Sequence, residues 1–423
     1  MTTETAPFVA AQKAVQKRTL AVLAAMQVIG TIGVGVAPSI GILVADELTN
    51  NEAWAGLART SSTLGAALMG VPFGLLAARR GRRFALSTGW WTAACGSALL
   101  VLAVSQHLVA LLFFGLFLMG AGLAVSLQAR FAATDLADVR HHGRALSLIV
   151  WVGTIGSVLG PNLAVPGRYI TNATGLSLYA SAFAIAALCM AMAGVISFTF
   201  LRPDPLLESL KHSAAARPLA TPLSQKEAFG QVFAELRINP GARYAVLAIV
   251  SAHIVMVAIM TMTPVHITHH GGSVEIVGIT ISLHVLGMYA LAPLVGQLTD
   301  RCGHRITIVV GVLIFFASLL AGVFKAEDFG WIVFSLILLG LGWSFVNVAG
   351  SALFSSVVSA QSRTAAQGGV DALSNFCGAF AALISGPLLA LTSFPVLSIF
   401  GMLALVPLLL LVLTRSPQIP SRP

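Results

Sequence analysis

Charge is what this sequence has least of. Of its 423 residues only 9% are charged, whereas 57% are hydrophobic, and the mean hydropathy is +0.90. A water-soluble domain carries about a quarter charged residues, so an ordinary soluble fold is excluded. Cysteine is scarce as well. Cys95, Cys189, Cys302 and Cys377 stand far apart, form no CxxC pair and fall mostly inside apolar segments, which argues against a disulfide framework or a structural zinc site. There is no GxxxxGK[ST] phosphate loop, no nucleophile elbow and no HExxH helix. An enzyme reading therefore has no support, and no cofactor is expected.

Long apolar runs are what the chain has in quantity. Many reach twenty residues, the length that crosses a hydrocarbon core of roughly 30 Å. They predict an all-α membrane protein with spans near 20–45, 53–78, 84–104, 107–130, 144–164, 174–200, 242–266, 274–298, 305–324, 329–356, 367–390 and 394–414. The first apolar run, from beyond Arg18 to Val44, is too long for the core of a cleaved signal.

The net charge of +9 does not indicate a nucleic-acid partner, because the basic residues lie in short loops. They alternate from side to side. Lys13, Lys17 and Arg18 precede the first span, "RRGRR" (79–83) follows the second, Arg140 and Arg144 follow the fourth, and Arg301 and Arg305 follow the eighth. By the positive-inside rule both termini and the central segment are cytoplasmic. That central segment, 201–241, carries Pro203, Pro205, Pro218 and Pro222 and then the amphipathic "SQKEAFGQVFAELR". It reads as a linker, with one helix at the membrane surface, between bundles at 1–200 and 242–423.

The halves echo each other. "GLLAARRGRR" from Gly74 and "GQLTDRCGHR" from Gly296 each follow the second span of their half, and both resemble the loop motif of the major facilitator superfamily. Ala78 stands where that motif usually has an acid, and Asp300 keeps the acid in the second copy. The resemblance implies two six-helix bundles that alternate access to a central site. "GTIGSVLGPN" (153–162) resembles the Gly-rich fifth-helix motif of antiporters in the superfamily, and either helix packing or mechanism accounts for it.

Two stretches stand out chemically. "HIVMVAIMTMTPVH" (253–266) places Met256 and Met260 one turn apart on the seventh span, and "SLHVLGMYAL" (282–291) places His284 and Met288 one turn apart on the eighth. If these spans form an antiparallel hairpin about Gly272, Met256 stands opposite Met288 and Met260 opposite His284. At 1.5 Å per residue, Met256 lies roughly 20 Å from the cytoplasmic end, near the midplane where transporters hold substrate. Taken alone, methionine fills gaps in apolar helices, but an ionisable ring in mid-membrane indicates function. Thioether and imidazole donors favour Cu(I) over Mg²⁺ or Ca²⁺. His253 shares the first face, and Met262 points roughly the other way.

MxxxM on the seventh span with HxxxM on the eighth resembles the signature of CcoA-like copper importers, a bacterial branch of the superfamily. The resemblance implies that Met256, Met260, His284 and Met288 bind copper, which is cargo. It also implies uptake across the bacterial inner membrane for assembly of cbb3-type haem–copper oxidases, and a cytoplasmic copper chaperone as a partner beside the lipid bilayer.

Other polar residues in the spans are secondary candidates. Asp371, with Asn375 one turn deeper, reads either as a proton-coupling or gating carboxylate or as one member of a buried ion pair. Arg130, before Asp135, reads as a gating or structural ion-pair member. Arg59 is expected to snorkel to the outer interface. His266, His269 and His270 crowd the outer mouth of the hairpin, where they either relay copper or sit in a solvated loop. Cys377 reads as an accessory thiol or an inert one. The rival readings are an organic-solute transporter, for riboflavin uptake or for drug/proton antiport, and a membrane copper sensor that binds without transporting.

Overall fold

The computed structural model describes residues 5–138, 141–213, 236–358 and 363–414, with Gly230 and Phe233. Among the described residues there is no strand, and twelve helices are long and apolar enough to cross a membrane. The helical solution follows from the solvent. In hydrocarbon a backbone N–H or C=O finds no water, so each segment must satisfy its own. The spans fall where hydropathy predicts them. The seventh is Pro240–His269, the eighth Val274–Cys302, the tenth Phe329–Val357 and the eleventh Ala366–Leu391. The first is longer than expected, Ala14–Thr49, because Lys17 and Arg18 at one end and Asp46 and Glu47 at the other continue the same helix past its apolar centre.

Several spans are interrupted. A π-helical turn at Ala37–Gly41, containing Pro38, divides the first, and a tight 3-10 turn at Gly160–Asn162, containing Pro161, follows the fifth. The eighth breaks between Tyr289 and Ala292, just before Pro293. Proline has no N–H to give and its ring crowds the preceding turn. In the linker, Pro205–Ser213 is a helix that sequence reasoning did not anticipate. Asp204 caps it, its Oδ1 accepting from the backbone N–H of Leu206 at 3.0 Å and of Leu207 at 3.2 Å. The amphipathic segment expected at 224–237 lies largely outside the described residues.

The chain forms two compact units, Met1–Ala37 with Leu64–Pro222, and Pro38–Thr63 with Leu223–Pro423. In the first, the "GTIGSVLGPN" stretch packs on the first span. Thr31 donates to the Gly153 carbonyl at 2.9 Å, and a Cβ on Gly160 would stand 2.6 Å from the Gly35 Cα. The two copies of the repeated loop share one backbone device, Gly81 at φ +91° and Gly303 at φ +87°, each starting the next span. A left-handed φ strains any side-chain-bearing residue, which explains why both copies hold glycine there. In the first copy, Arg82 grips Asp135 with Nε at 2.8 Å and Nη2 at 3.2 Å. Arg130 is therefore not the partner of Asp135. Its Nε donates instead to the Leu127 carbonyl at 3.1 Å, and its guanidinium lies over Phe131.

In the second unit the seventh span packs along the tenth and eleventh, and the eighth lies along the tenth rather than along the seventh. The unit also takes in the adjoining ends of the first two spans. Thr60 of the second span donates to the Ala379 carbonyl of the eleventh at 3.0 Å, and Gly56 packs on the Ala382 carbonyl.

Candidate functional site

The four predicted soft donors are all buried inside the second unit. Relative exposure is 3% for Met256, 5% for Met260, 0% for His284 and 8% for Met288. Methionine owes this to its fit in apolar space, whereas a buried imidazole needs hydrogen-bond partners. His284 finds one in the tenth span, where its Nδ1–H donates to the Leu336 carbonyl at 2.9 Å. That contact requires the eighth and tenth helices to touch backbone to backbone, and two glycines allow it. A Cβ on Gly340 would collide with the His284 carbonyl and stand 3.1 Å from the Met288 nitrogen. A Cβ on Gly287 would stand 2.8 Å from the Ile337 carbonyl. The eighth span thus leans on the tenth more than on the seventh, and Leu336 and Gly340 of the tenth meet it at His284. A neutral imidazole that donates from Nδ1 presents Nε2 as a lone pair. The Nε2 of His284 is buried with no protein partner.

His253 turns toward the eleventh span. A Cβ on Gly378 would stand 3.0 Å from its Nε2, and its ring lies 6.4 Å from Trp343 of the tenth. Tyr289 also meets Trp343 edge-on, with centroids 5.8 Å apart. Arg59 departs from expectation. Its Nε is buried without a hydrogen-bond partner. A buried Nε is not that of a side chain snorkelling outward, and the next residue, Thr60, ties the second span to the eleventh. Sequence reasoning missed the burial of the Arg59 Nε and the Trp343–Tyr289 pair beside His253. A charge and an aromatic pair inside apolar spans were the available signal.

The remaining candidates scatter. His266 is not in a solvated loop. It is buried, donates from Nε2 to the Ala326 carbonyl at 2.7 Å, and stacks on Phe394 with centroids 4.4 Å apart. His269 lies between two carboxylates, with Nε2 at 2.7 Å from Asp46 and Nδ1 at 2.9 Å from Glu52. His270 donates to the His266 carbonyl. Met262 is fully buried, so it is packed as tightly as the proposed ligands. Cys377 lines an apolar cavity of about 310 Å³ with Ile254, Phe380 and Phe400, apart from the methionines. Asp371 is exposed rather than buried, one and a half turns inside the eleventh span, and Asn375 donates back to the Asp371 carbonyl at 2.8 Å. Among the described residues no group of three or more His, Cys, Asp or Glu is arranged to hold a metal ion. A metal at this site would rest on thioethers and one imidazole.

Comparison with known proteins agrees with the architecture. The model of the Major Facilitator Superfamily matches residues 19–276 and 245–423. An uncharacterised MFS-type transporter of Bacillus subtilis, YddS, is 34% identical over 396 residues, covering 92% of this chain and 89% of its own. The riboflavin transporter RfnT of Brucella anthropi is 28% identical over 408 residues, covering 95% of this chain and 97% of its own. Among solved structures, the nucleoside transporter NupG superposes with a TM-score of 0.70 at 14% identity, covering 95% of this chain and all of that one.

Proposed function

The chain belongs to the major facilitator superfamily and is a secondary membrane transporter; we propose that its cargo is copper, carried as Cu(I). The observation that carries this reading is His284, whose buried Nε2 has no protein partner and whose position on the helix is one turn before buried Met288. Soft neutral donors suit a monovalent soft ion, and neither Mg²⁺ nor Ca²⁺ would find the oxygen ligands it needs. Met256, Met260, His284 and Met288 are the proposed ligands, with His253 as an accessory. None of them carries a negative charge, so releasing the ion does not require a protonation step at a ligand. The resemblance to CcoA-like importers supports the same assignment and a supply route to haem–copper oxidases through a cytoplasmic chaperone. The basic loops support a bacterial inner-membrane location with both termini inside.

A second reading is an organic solute. It is favoured by the relative named as a riboflavin transporter and by the Trp343–Tyr289 aromatic pair next to the site. One experiment separates the two. Cells with and without the protein are offered radiocopper under reducing conditions and, in parallel, labelled riboflavin. Copper accumulation that silver competes for and zinc does not supports the proposal. Riboflavin accumulation without copper uptake overturns it, and copper binding without accumulation identifies a sensor.

A further inference from the structure

His269, at the end of the seventh span, is bonded at both ring nitrogens. Its Nε2 lies 2.7 Å from an Asp46 oxygen and its Nδ1 2.9 Å from a Glu52 oxygen. Each contact needs a proton between nitrogen and oxygen. A neutral imidazole has one N–H and one lone pair, and an ionised carboxylate only accepts. The ring's own proton serves one contact, so the other requires an added proton, held on the ring or on a carboxyl. The second oxygen of Glu52, Oε2, is buried with no hydrogen-bond partner, which further disfavours a fully ionised cluster. Apart, at neutral pH, the same groups are a mostly neutral imidazole and two carboxylates. Bringing them together therefore takes up about one proton, and His269 is exposed, so water can deliver it.

The three groups come from three spans. Asp46 lies on Ile42–Thr49, the part of the first span beyond the π-helical turn at Ala37–Gly41, and Glu52 directly precedes the second span. The chain passes from the first unit into the second at Pro38, within that turn, and such turns interrupt helices at functional sites. Beyond it, Ile42–Thr49 packs on the seventh span, and a Cβ on Gly386 of the eleventh would stand 2.7 Å from the Ala53 carbonyl. The other titratable or charged groups at this end are His266 and His270 of the seventh span, Glu47 of the first, Arg59 of the second, Glu275 of the eighth and Asp328 of the tenth. The eleventh and twelfth bring none there. We propose that Asp46, Glu52 and His269 form a one-proton latch that holds the ends of the first two spans on the seventh. The proton comes from water at that end and returns to it on opening. The topology proposed above puts that end outside the cell, so external acidity closes the entrance, and the latch does not depend on the cargo. Since the engaged state holds one more proton, engagement weakens as pH rises, up to tenfold per unit above about pH 6.5, where a free imidazole is deprotonated. Below that pH both states hold the proton and the dependence flattens.

The full chain, with its four cysteines replaced by alanine, is spin-labelled at Glu47→Cys and Glu327→Cys, both exposed, and the distance distribution is recorded in liposomes from pH 5 to 8.5. The ratio of engaged to open molecules is expected to be flat at low pH and to fall at least tenfold between pH 6.5 and 8.5. His269→Gln has nothing to titrate and should show no such fall. Glu52→Gln supplies an amide N–H in place of the added proton, so it should stay engaged at pH 8.5. A wild-type ratio that ignores pH, or a Glu52→Gln latch that opens with pH as wild type does, overturns the inference. Should the labelled chain fail to fold, amide hydrogen exchange of Ile42–Thr49 in the unlabelled chain reads the same opening. Comparing wild type with Glu52→Gln at each pH cancels the intrinsic pH dependence of exchange. Exchange in wild type should gain on the variant by up to tenfold per pH unit above about pH 6.5, and a constant ratio refutes the latch. Neither measurement uses copper, so the copper reading and the latch stand or fall separately.

Discussion

Gly340→Ala is the sharpest probe of how the site is built. The added methyl would collide with the His284 carbonyl and lie 3.1 Å from the Met288 nitrogen and 3.3 Å from the Gly287 carbonyl carbon. All three are backbone atoms of the eighth span, so no side chain can rotate away. The tenth span must retreat, and the 2.9 Å bond from His284 to Leu336 lengthens with it. Overpacking costs about 1–3 kcal/mol, and the strained hydrogen bond adds about 0.5–1.5 kcal/mol. Together these weaken the helix pair by about 2–4 kcal/mol, roughly a thirty- to thousandfold shift against the packed arrangement. The control is Gly368→Ala in the eleventh span, where a Cβ meets nothing within 4 Å. Replacing a helical glycine there is expected to stabilise by about 0.5–1 kcal/mol. Membrane-inserted protein, thermal midpoint and uptake per molecule are measured for both variants. Gly340→Ala should lower the midpoint and reduce uptake per inserted molecule at least tenfold, while Gly368→Ala changes neither adversely. Wild-type midpoint and uptake in Gly340→Ala would refute the claim that His284 is oriented by this helix contact.

The other expectations are shorter. Met256→Leu with Met288→Leu removes two thioethers at nearly constant volume, costing under about 1.5 kcal/mol each; uptake should fall to background in a folded protein, and normal uptake would remove these residues from the site. Met262 is too buried to serve as a harmless alanine control, so Met192, which is 45% exposed, replaces it. Arg82→Ala leaves Asp135 without its ion-pair partner and should cost about 1–3 kcal/mol in thermal unfolding, whereas Arg130→Ala should cost well under 1 kcal/mol; the reverse order would restore Arg130 as the partner. Asp371→Asn keeps the size of an exposed side chain and should leave the protein folded. It should keep copper binding and lose transport if the carboxylate carries a proton, and unchanged, still pH-dependent uptake would end that role.

The spans, the repeated loop and the soft-donor pattern were legible in the sequence because each depends on residues close together along the chain. Hydropathy over twenty residues determines a crossing helix whatever its neighbours do. Gly81 and Gly303 are readable for the same reason, since a left-handed φ is a demand of a single residue. Spacing of four put Met256 with Met260, and His284 with Met288, on common faces by helix geometry alone. Partners were not legible. Asp135 is chosen by Arg82 rather than by nearer Arg130, and the acceptor for His284 is the backbone carbonyl of Leu336, an atom every residue possesses. Arg59 looked like an interfacial arginine because it lies only six residues inside the second span, beginning at Ala53, and a long side chain can turn either way. The buried Nε shows which, and that burial comes only with the packed helices. His266 buried and Asp371 exposed reverse what loop and span positions alone imply, because burial depends on which other helices arrive. What is local in the chain was written in the residues; side-chain direction and partner choice came into being only when distant helices packed.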